Sequence, residues 1–306
     1  MDVFVGIDGG GTRARAVAMD ARGNEIARVF GGPGRVRPED PGAGAAALAD
    51  LTERALRAAG AQPPAAGLCC ARAGAGREAE RLALTAALIR ETIAMRIHVI
   101  TDAEAALYDA FGDGPGLLLI GGTGSIAWGR TADGRTARTG GWGQRLGDEG
   151  SGFALGLGAL RAAVRAHDGR GPMTSLLEAA LAHAEVPAPE QLVGWTARAE
   201  KGEIAALAPV VAEAAAEGDD VAKALVAEAA RELALHVSTL QRRLSPWEET
   251  PTLALAGGLL APGRPLRENV IREVQRLDAP PVVLERDVDA ARGAALVASH
   301  STPVGP

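Results

Sequence analysis

The sequence predicts an α/β protein built from two similar lobes, with a helical insertion in the second lobe. Two stretches, beginning near residues 3 and 117, open alike, with an apolar strand, a tight glycine turn, a second strand and an Asp-containing turn before a third. Apolar strands then alternate with helical segments, which indicates a partly parallel sheet. An alanine-rich tract over residues 151–244 is helical and interrupts the second lobe.

The first lobe is predicted over residues 1–112. Its opening strands form a three-stranded meander that ends near residue 27. The segments that follow alternate between helix and strand, with helices at 45–59, 78–92 and 101–111 and strands at 66–70 and 97–100. The glycine-rich segment 112–116 is typical of a linker and marks the boundary between the lobes.

The second lobe is predicted over residues 113–306, and its meander covers residues 117–137. The helical insertion is expected to break at glycines and prolines, near 169–172, 187–189, 201–202 and 218. Strands return at 252–256 and 281–284, and a final helix covers 290–298. We expect the insertion to be scaffold without a chemical role.

The composition is that of an ordinary soluble globular protein and argues against a nucleic-acid-binding or membrane protein. The chain has 306 residues, 47% hydrophobic and 23% charged, with a net charge of -6. No run of five basic residues is present, which argues against nucleic acid or an anionic membrane as partner. The N-terminus has no basic signal-peptide region and the apolar runs are too short to span a bilayer, so we expect a cytoplasmic location.

Cysteine and lysine are both scarce. Cys69 and Cys70 are adjacent, a spacing that forms neither an ordinary disulfide nor a metal site, so we expect buried strand residues. Lys201 and Lys223 are the only lysines, and neither follows the Gly-x-x-x-x-Gly of a P-loop. A nucleotide site in this protein therefore needs a different phosphate cradle.

Two glycine-rich turns could provide that cradle. Residues 8–12 read Asp-Gly-Gly-Gly-Thr, where the glycines let backbone N–H groups converge on an anion and Asp8 could hold Mg²⁺. One such turn could equally be a plain hairpin with a capping aspartate. A second turn, Gly-Gly-Thr-Gly-Ser at 121–125, occupies the equivalent place in the other lobe. The pair favours phosphoryl transfer, which depends on gripping successive phosphates.

The two turns, the Ala-Gly-Gly at 256–258 and the Asp-Ala-Ala-Arg-Gly-Ala-Ala at 289–295 resemble the phosphate, adenosine and connecting motifs of the actin/hexokinase/Hsp70 ATPase superfamily. The order and spacing match over essentially the whole chain. Within it, Thr-Asp-Ala at 101–103 and the Gly-Trp-Gly and Gly-Asp-Glu-Gly-Ser of segment 140–151 resemble the N-acetylglucosamine kinase branch, which includes bacterial glucosamine kinases.

The resemblance implies a two-lobed, actin-like ATPase (ribonuclease H-like) fold and a homodimer. It also implies a kinase that uses ATP and Mg²⁺ to phosphorylate N-acetylglucosamine or glucosamine at the 6-hydroxyl. The residues implied to bind ATP are Gly10, Gly11, Thr12, Arg13, Gly122, Thr123, Gly124, Ser125, Gly257 and Gly258. Gly257 and Gly258 could instead form a simple strand-to-helix turn, although glycine there also lets a purine lie against the backbone.

The sugar side of the site rests on Asp102, which the resemblance makes the catalytic base. Because Asp102 follows a strand and starts a helix, and because Thr101 and Glu104 have capping-box spacing, helix capping is the competing interpretation. Asp148 is likewise expected on sugar hydroxyls, or only as the cap of the next helix. Trp142, together with Gly141, is expected in the wall of the sugar pocket, or as a core aromatic.

The chain departs from the amino-sugar kinases after its third strand, where they commonly place an asparagine. No asparagine occurs between residues 24 and 269, and the segment carries Arg35 and Arg37 instead. An arginine such as Arg35 could bind a carboxylate in a bidentate pair, so an acidic sugar, N-acetylmuramate or a 2-keto-3-deoxy sugar acid, is the alternative substrate. The arginines could also be solvent-exposed loop residues, and an amino sugar remains the first choice.

Two other classes fit less well. Activating ATPases of benzoyl-CoA reductases and hydroxyacyl-CoA dehydratases share these nucleotide motifs but hold an iron–sulfur cluster on cysteines, a geometry that adjacent strand cysteines cannot readily present. A sugar-responsive regulator would add a DNA-binding helix-turn-helix, and we do not expect one because the sequence starts directly at its first strand.

Overall fold

The computed structural model describes residues 2–9, 14–32, 40–72 and 77–300. The chain forms two compact units. The first unit comprises Met1–Asp113 with Val288–Pro306, and the second comprises Gly114–Asp287. No described helix has the length and apolar content needed to cross a membrane.

The first unit contains a five-stranded mixed sheet with the order β3-β2-β1-β4-β5. The strands are β1 Val3–Gly9, β2 Ala14–Asp20, β3 Glu25–Gly31, β4 Gly67–Arg72 and β5 Ile97–Thr101. The first three form the predicted antiparallel meander, whereas β4 and β5 run parallel to β1. The helices of this unit are α1 Pro41–Ala58, α2 Glu78–Arg90, α3 Asp102–Phe111 and α11 Ala290–His300.

Both faces of this sheet are buried, which explains the continuous apolar run of its central strands. Val5 and Ile7 of β1 join the core that includes residues of α1 and α2, whereas Phe4 joins a second core with residues of α3 and α11. Cys70 packs in the first of these cores and Cys69 in the second. The prediction of buried strand cysteines is confirmed, and burial raises the pKa of the Cys70 thiol to about 12.

The second unit repeats the same arrangement, with the order β10-β9-β6-β7-β8. Its strands are β6 Gly116–Gly121, β7 Ser125–Arg130, β8 Thr136–Gly140, β9 Thr252–Ala256 and β10 Val282–Val283. β6, β7 and β8 form an antiparallel meander, and β9 and β10 run parallel to β6. The duplication predicted from the two similar stretches is therefore confirmed as an α/β fold with two related sheets.

Six helices separate β8 from β9 and form the predicted insertion among the described residues. They are α4 Gly152–His167, α5 Leu176–Ala184, α6 Gln191–Arg198, α7 Lys201–Ala205, α8 Ala208–Ala216 and α9 Asp220–Arg243. A further helix between β9 and β10, α10 Pro265–Val274, was not predicted. Its signal is present, since Pro265 stands in the first turn and Leu266, Val270 and Val274 are buried at a spacing of four residues.

The last helix, α11, belongs to the first unit, whereas the sequence prediction grouped residues 290–298 with the second lobe because of their place in the chain. A Cβ on Gly6 of β1 would lie 2.0 Å from the backbone nitrogen of Ala295, so the helix packs directly on the strand. Asp289 accepts the N–H of Ala291 at 2.9 Å and pairs with Arg28 of β3 at 2.6 Å. Chain order alone does not reveal these contacts.

Candidate functional site

Asp8 lies near the end of β1, directly opposite Arg15 of β2. Its Oδ2 is 2.6 Å from Nη2 of Arg15, while Oδ1 has no partner among the described residues. The rest of the first glycine turn, Gly10 to Arg13, lies outside the described residues, as do Arg35 and Arg37. The roles assigned to those residues therefore stay predictions.

Helix capping does not account for Asp102, because a complete capping box at Thr101 already serves the start of α3. Thr101 Oγ1 accepts the N–H of Glu104 at 3.1 Å, and Glu104 Oε2 accepts the N–H of Thr101 at 2.7 Å. Asp102 is the residue after the cap, and its Oδ1 accepts only the adjacent Ala103 N–H, at 2.9 Å. The other oxygen of Asp102 has no partner among the described residues.

The surroundings of Asp102 favour its protonated form. Burial raises the pKa of its carboxyl above the ordinary value; the Ala103 N–H acts in the opposite direction, and the negative charges of Asp8 and Glu104 raise it further. A carboxylate with increased proton affinity is a better acceptor for a hydroxyl proton. Both carboxylates of the predicted chemistry, Asp8 and Asp102, therefore lie near enough in the first unit to influence each other.

The turn between β6 and β7 has the geometry of an anion cradle. Its carbonyls are tied back, because Gly122 accepts the N–H of Gly152 at 2.8 Å and Thr123 accepts the N–H of Phe153 at 3.3 Å, both from the first turn of α4. The N–H groups of Thr123 and Gly124 have no partner among the described residues. Two backbone donors and the Thr123 hydroxyl thus remain for a ligand.

Asp148 lies directly behind this turn. It is a rare non-glycine residue with positive φ, +65°, and its side chain is only 4% exposed. Oδ1 accepts the N–H of Ser125 at 3.3 Å, and Oδ2 is 2.6 Å from Nζ of Lys201 without the alignment of a hydrogen bond. Ser151 caps α4 through the N–H of Ala154, so capping does not explain Asp148 either.

Lys201 is the site residue that sequence reasoning missed. It comes from the helical insertion, which was expected to be scaffold, and it starts α7. A Cβ on Gly124 would lie 3.0 Å from Lys201 Nζ and 2.6 Å from Asp148 Oδ1, so all three residues meet at the turn. The available signal was compositional, since 32 residues are basic but Lys201 and Lys223 are the only lysines.

Trp142 is exposed, which rules out the interpretation of a core aromatic. Its side chain is 63% exposed, and the guanidinium carbon of Arg138 lies 4.6 Å from the ring centroid. Gly141 has φ of +70°, and a Cβ there would be 2.5 Å from Ile126. The backbone at Gly141 therefore has a conformation that favours glycine, and the next residue, Trp142, exposes its aromatic ring.

Gly257 connects β9 to the same turn. Its φ is +90°, a Cβ there would be 2.4 Å from the carbonyl oxygen of Gly121, and Leu259 donates its N–H to that oxygen at 3.0 Å. Gly258 borders open space. A simple strand-to-helix turn does not describe this segment, because α10 begins only at Pro265.

Arg72, at the end of β4, was also missed. It is 8% exposed and pairs in register with Gly9 and Thr101, which lie beside Asp8 and Asp102. Burial lowers the pKa of its guanidinium, and Nε is buried without a hydrogen bond. The first unit thus carries a buried cation without an ion-pair partner among the described residues.

The chain is similar over nearly its whole length to proteins described as amino-sugar kinases. It is 34% identical to an N-acetylmuramic acid/N-acetylglucosamine kinase of Clostridium acetobutylicum, covering 97% of this chain and 98% of the relative. It is 29% identical to an N-acetyl-D-glucosamine kinase of Dictyostelium discoideum, with 98% of each protein covered.

A solved structure gives the same result. The crystal structure of a protein described as a putative N-acetylglucosamine kinase from Chromobacterium violaceum superimposes with a TM-score of 0.79 at 29% identity, covering 97% of this chain and 99% of that one. The sequence pattern of the BadF/BadG/BcrA/BcrD ATPase family matches residues 5–298. The chain therefore belongs to the BadF/BadG/BcrA/BcrD ATPase family.

Proposed function

We propose that this family member is a sugar kinase that uses ATP to phosphorylate an amino sugar, N-acetylglucosamine or glucosamine, on its 6-hydroxyl. The observation that carries the proposal is the 34% identity, over 97% of the chain, to a kinase of N-acetylmuramic acid and N-acetylglucosamine. The release of Asp102 from capping by Thr101 and Glu104 adds support from the structure. The Asp102 side chain accepts only the Ala103 N–H, and its other oxygen, which has no partner among the described residues, is available for chemistry.

In the proposed reaction, Asp102 is the general base. As the sugar oxygen attacks the γ-phosphorus, a new O–P bond forms and the bond from phosphorus to the ADP oxygen breaks. The hydroxyl proton moves to a carboxylate oxygen of Asp102, and the leaving electron pair goes to ADP. The raised pKa of Asp102 suits this transfer, because proton acceptance improves with basicity.

The phosphates of ATP are proposed to bind the two glycine turns. In the second unit, the unengaged N–H groups of Thr123 and Gly124 support this role, and Ser125 fixes the end of the turn by donating its hydroxyl to the Glu149 carbonyl at 2.7 Å. Gly122 borders open space, which leaves room for a ligand. Gly257 and Gly258 are proposed for the adenosine.

The sugar is proposed to contact Gly141, Trp142 and Asp148, with Arg35 as a further contact. Exposed aromatic rings such as Trp142 offer an apolar face to a sugar ring. Asp148 is almost fully buried and already engaged by Ser125 and Lys201, so a direct sugar contact requires rearrangement at Oδ2, the oxygen that lacks a hydrogen bond. Of the proposed contacts, Asp148 is the one that the described geometry supports least.

Asp8 fits the proposed role of holding Mg²⁺. Its Oδ1 has no partner among the described residues, and carboxylate oxygen is the protein ligand that Mg²⁺ favours next to substrate phosphates. The ion would neutralise phosphate charge when bound. Asp8→Asn should greatly reduce turnover and raise the Mg²⁺ concentration needed for half-maximal rate. Unchanged Mg²⁺ dependence would remove Asp8 from this role.

An acidic sugar is the second candidate substrate, favoured by the N-acetylmuramic acid activity named for the Clostridium relative. An iron–sulfur activator fits poorly, because Cys69 and Cys70 are fully buried in separate cores. Adjacent strand residues point to opposite faces of the sheet and cannot converge on one cluster.

A coupled ADP-release assay over a substrate panel tests the proposal. The panel contains N-acetylglucosamine, glucosamine, glucose, N-acetylmuramate and 2-keto-3-deoxygluconate, each with Mg-ATP. We expect the highest kcat/KM with N-acetylglucosamine. Turnover of acidic sugars alone, together with a selective increase in their KM in Arg35→Ala or Arg37→Ala, would replace the amino-sugar proposal. The cytoplasmic location and the homodimer stay predictions, and analytical ultracentrifugation tests the latter.

A further inference from the structure

We propose that Lys201 binds the polyphosphate of ATP at the Gly122–Ser125 turn and that Asp148 positions it there. This inference rests on the proposed function, because it assumes that the turn receives the phosphates of ATP. It assigns a ligand-binding role to the helical insertion. It also gives Asp148 a role that does not depend on sugar contact.

The position of Lys201 Nζ is the first argument. The ammonium lies 3.0 Å from where a Cβ on Gly124 would stand, so it borders the turn directly. Gly124 and Thr123 carry the backbone N–H groups that have no partner among the described residues. A cation beside two converging donors makes a stronger anion site than backbone donors alone.

The second argument is the unused bonding capacity of the ammonium. Lys201 carries three N–H donors, and Asp148 is its only ion-pair partner among the described residues. The side chain is 33% exposed, and Nζ lies 3.0 Å from where a Cβ on Gly124 would stand, so the ammonium is not enclosed by protein at the turn. Lys201 can therefore contact a phosphate without leaving Asp148.

The third argument concerns charge. Asp148 is almost fully buried, and an isolated anion next to a phosphate site would repel the ligand. With Lys201 present, the pair is neutral overall, and both members border the turn, because a Cβ on Gly124 would lie 2.6 Å from Asp148 Oδ1 and 3.0 Å from Lys201 Nζ. The left-handed backbone of Asp148, φ +65°, directs the carboxylate to this place, where it also accepts the N–H of Ser125.

The packing of α7 keeps Lys201 in place. A Cβ on Gly156 of α4 would lie 1.9 Å from the carbonyl oxygen of Ile204, so α4 and α7 touch backbone to backbone. Glu200, immediately before Lys201, and Glu203, two residues after it, form a capping box at the start of α7. The packing of α7 on α4 and the capping box therefore hold the backbone of Lys201 in position.

Nucleotide binding by calorimetry tests the proposal with Mg-ATP, Mg-ADP and adenosine as probes. Lys201→Gln should weaken ATP and ADP binding by about 10- to 100-fold while leaving adenosine binding unchanged. Lys223→Gln is the matched control, because Lys223 is the other lysine, is 52% exposed and pairs with Asp220 at 3.0 Å. It should bind all three probes like the wild type.

A double variant separates phosphate binding from simple neutralisation of a buried acid. Asp148→Asn/Lys201→Gln removes both charges, so it should recover the melting temperature that Lys201→Gln loses. If Lys201 binds phosphate, the double variant still binds ATP about 10-fold more weakly than the wild type and adenosine equally well. If Lys201 only neutralises Asp148, the double variant should recover both the melting temperature and the ATP affinity of the wild type, and the proposal is wrong.

The outcomes also separate this proposal from the proposed function. A wild-type protein that binds ATP, with Lys201→Gln binding it equally well, refutes the role of Lys201 and leaves the kinase assignment standing. Equal loss of ATP and adenosine in the double variant points to local misfolding and also refutes it. A wild-type protein that binds no ATP refutes both.

Discussion

Replacing Asp102 with asparagine separates its chemistry from its place at the start of α3. Asparagine is nearly isosteric with aspartate, and its Oδ1 can still accept the Ala103 N–H that Asp102 accepts at 2.9 Å. The cap of α3 is independent of the change, since it is made by Thr101 and Glu104. The amide cannot take up the proton of the sugar hydroxyl.

The expected loss is in kcat. Removing a general base typically costs about 10²- to 10⁴-fold in rate, which corresponds to roughly 2.7–5.4 kcal/mol in the activation barrier. The KM for sugar should change little, because the amide keeps the shape and most hydrogen bonds of the carboxylate.

Stability should not fall with activity. Burial, the largest influence, raises the folded-state pKa of Asp102 above its unfolded value, so the folded protein favours the protonated form. The stability contribution of such a group is present below the unfolded pKa and is lost as pH rises through the folded pKa. Above the folded pKa this contribution is absent, so replacing Asp102 with uncharged asparagine should keep or raise the melting temperature.

The assay pairs ADP release, with N-acetylglucosamine and Mg-ATP, with calorimetric melting of the same preparation. Thr101→Val is the matched control, because it removes the capping hydroxyl; it should cost about 1 kcal/mol of stability and keep kcat. An Asp102→Asn protein with wild-type kcat would refute the base assignment. A melting temperature lowered as in Thr101→Val would refute our description of the cap.

Three further predictions concern the first unit. Gly6→Ala should cost about 3 kcal/mol or more in urea unfolding, because its Cβ would meet the α11 backbone at 2.0 Å, whereas Gly202→Ala, whose Cβ meets nothing within 4 Å, should cost nothing. Arg72→Met should raise the melting temperature by a few degrees, since it removes a buried cation that has no ion-pair partner among the described residues; a lower melting temperature would contradict this. Burial acts to raise the pKa of Asp289, but the ion pair with Arg28 outweighs it and the pKa is lowered. The ionised Asp289 should therefore stabilise the folded protein above about pH 4, and this stabilisation should be lost as the pH falls through the lowered pKa. In a series of melting temperatures measured against pH, Asp289→Asn should lose less stability in acid than the wild type.

The sequence predicted the sheets well because their signals are local. The strand at 252–256 coincides with β9, and the helix at 78–92 nearly coincides with α2, since apolar periodicity and glycine turns set both. The two similar stretches of sequence correspond to the two antiparallel meanders, β1–β3 and β6–β8, each followed by parallel strands. No helix was predicted between the strands at 252–256 and 281–284, although Pro265 in the first turn of α10 is typical of a helix start.

The site was predictable where its residues lie in one turn, and not where tertiary packing assembles it. Gly124 and Asp148 could be proposed from motifs, but their contact with Lys201 depends on how α7 packs on α4, which no local pattern encodes. Capping of α3 by Thr101 was visible in the sequence, yet only the hydrogen bonds show that the capping box of Thr101 and Glu104 is complete without Asp102. Arg72 carries no motif and stands out only by its burial.

The attachment of α11 has a consequence for how the protein is made. The second unit, Gly114–Asp287, is continuous, so the ribosome can release all of it before the first unit is complete. During that interval the face of β1 and β4 that packs against α11 is covered only in part, by α3, and Phe4 and Cys69 are among its residues. Domains generally fold as they are synthesised, N-terminal first. Here the part of the chain made first is the last that can finish folding.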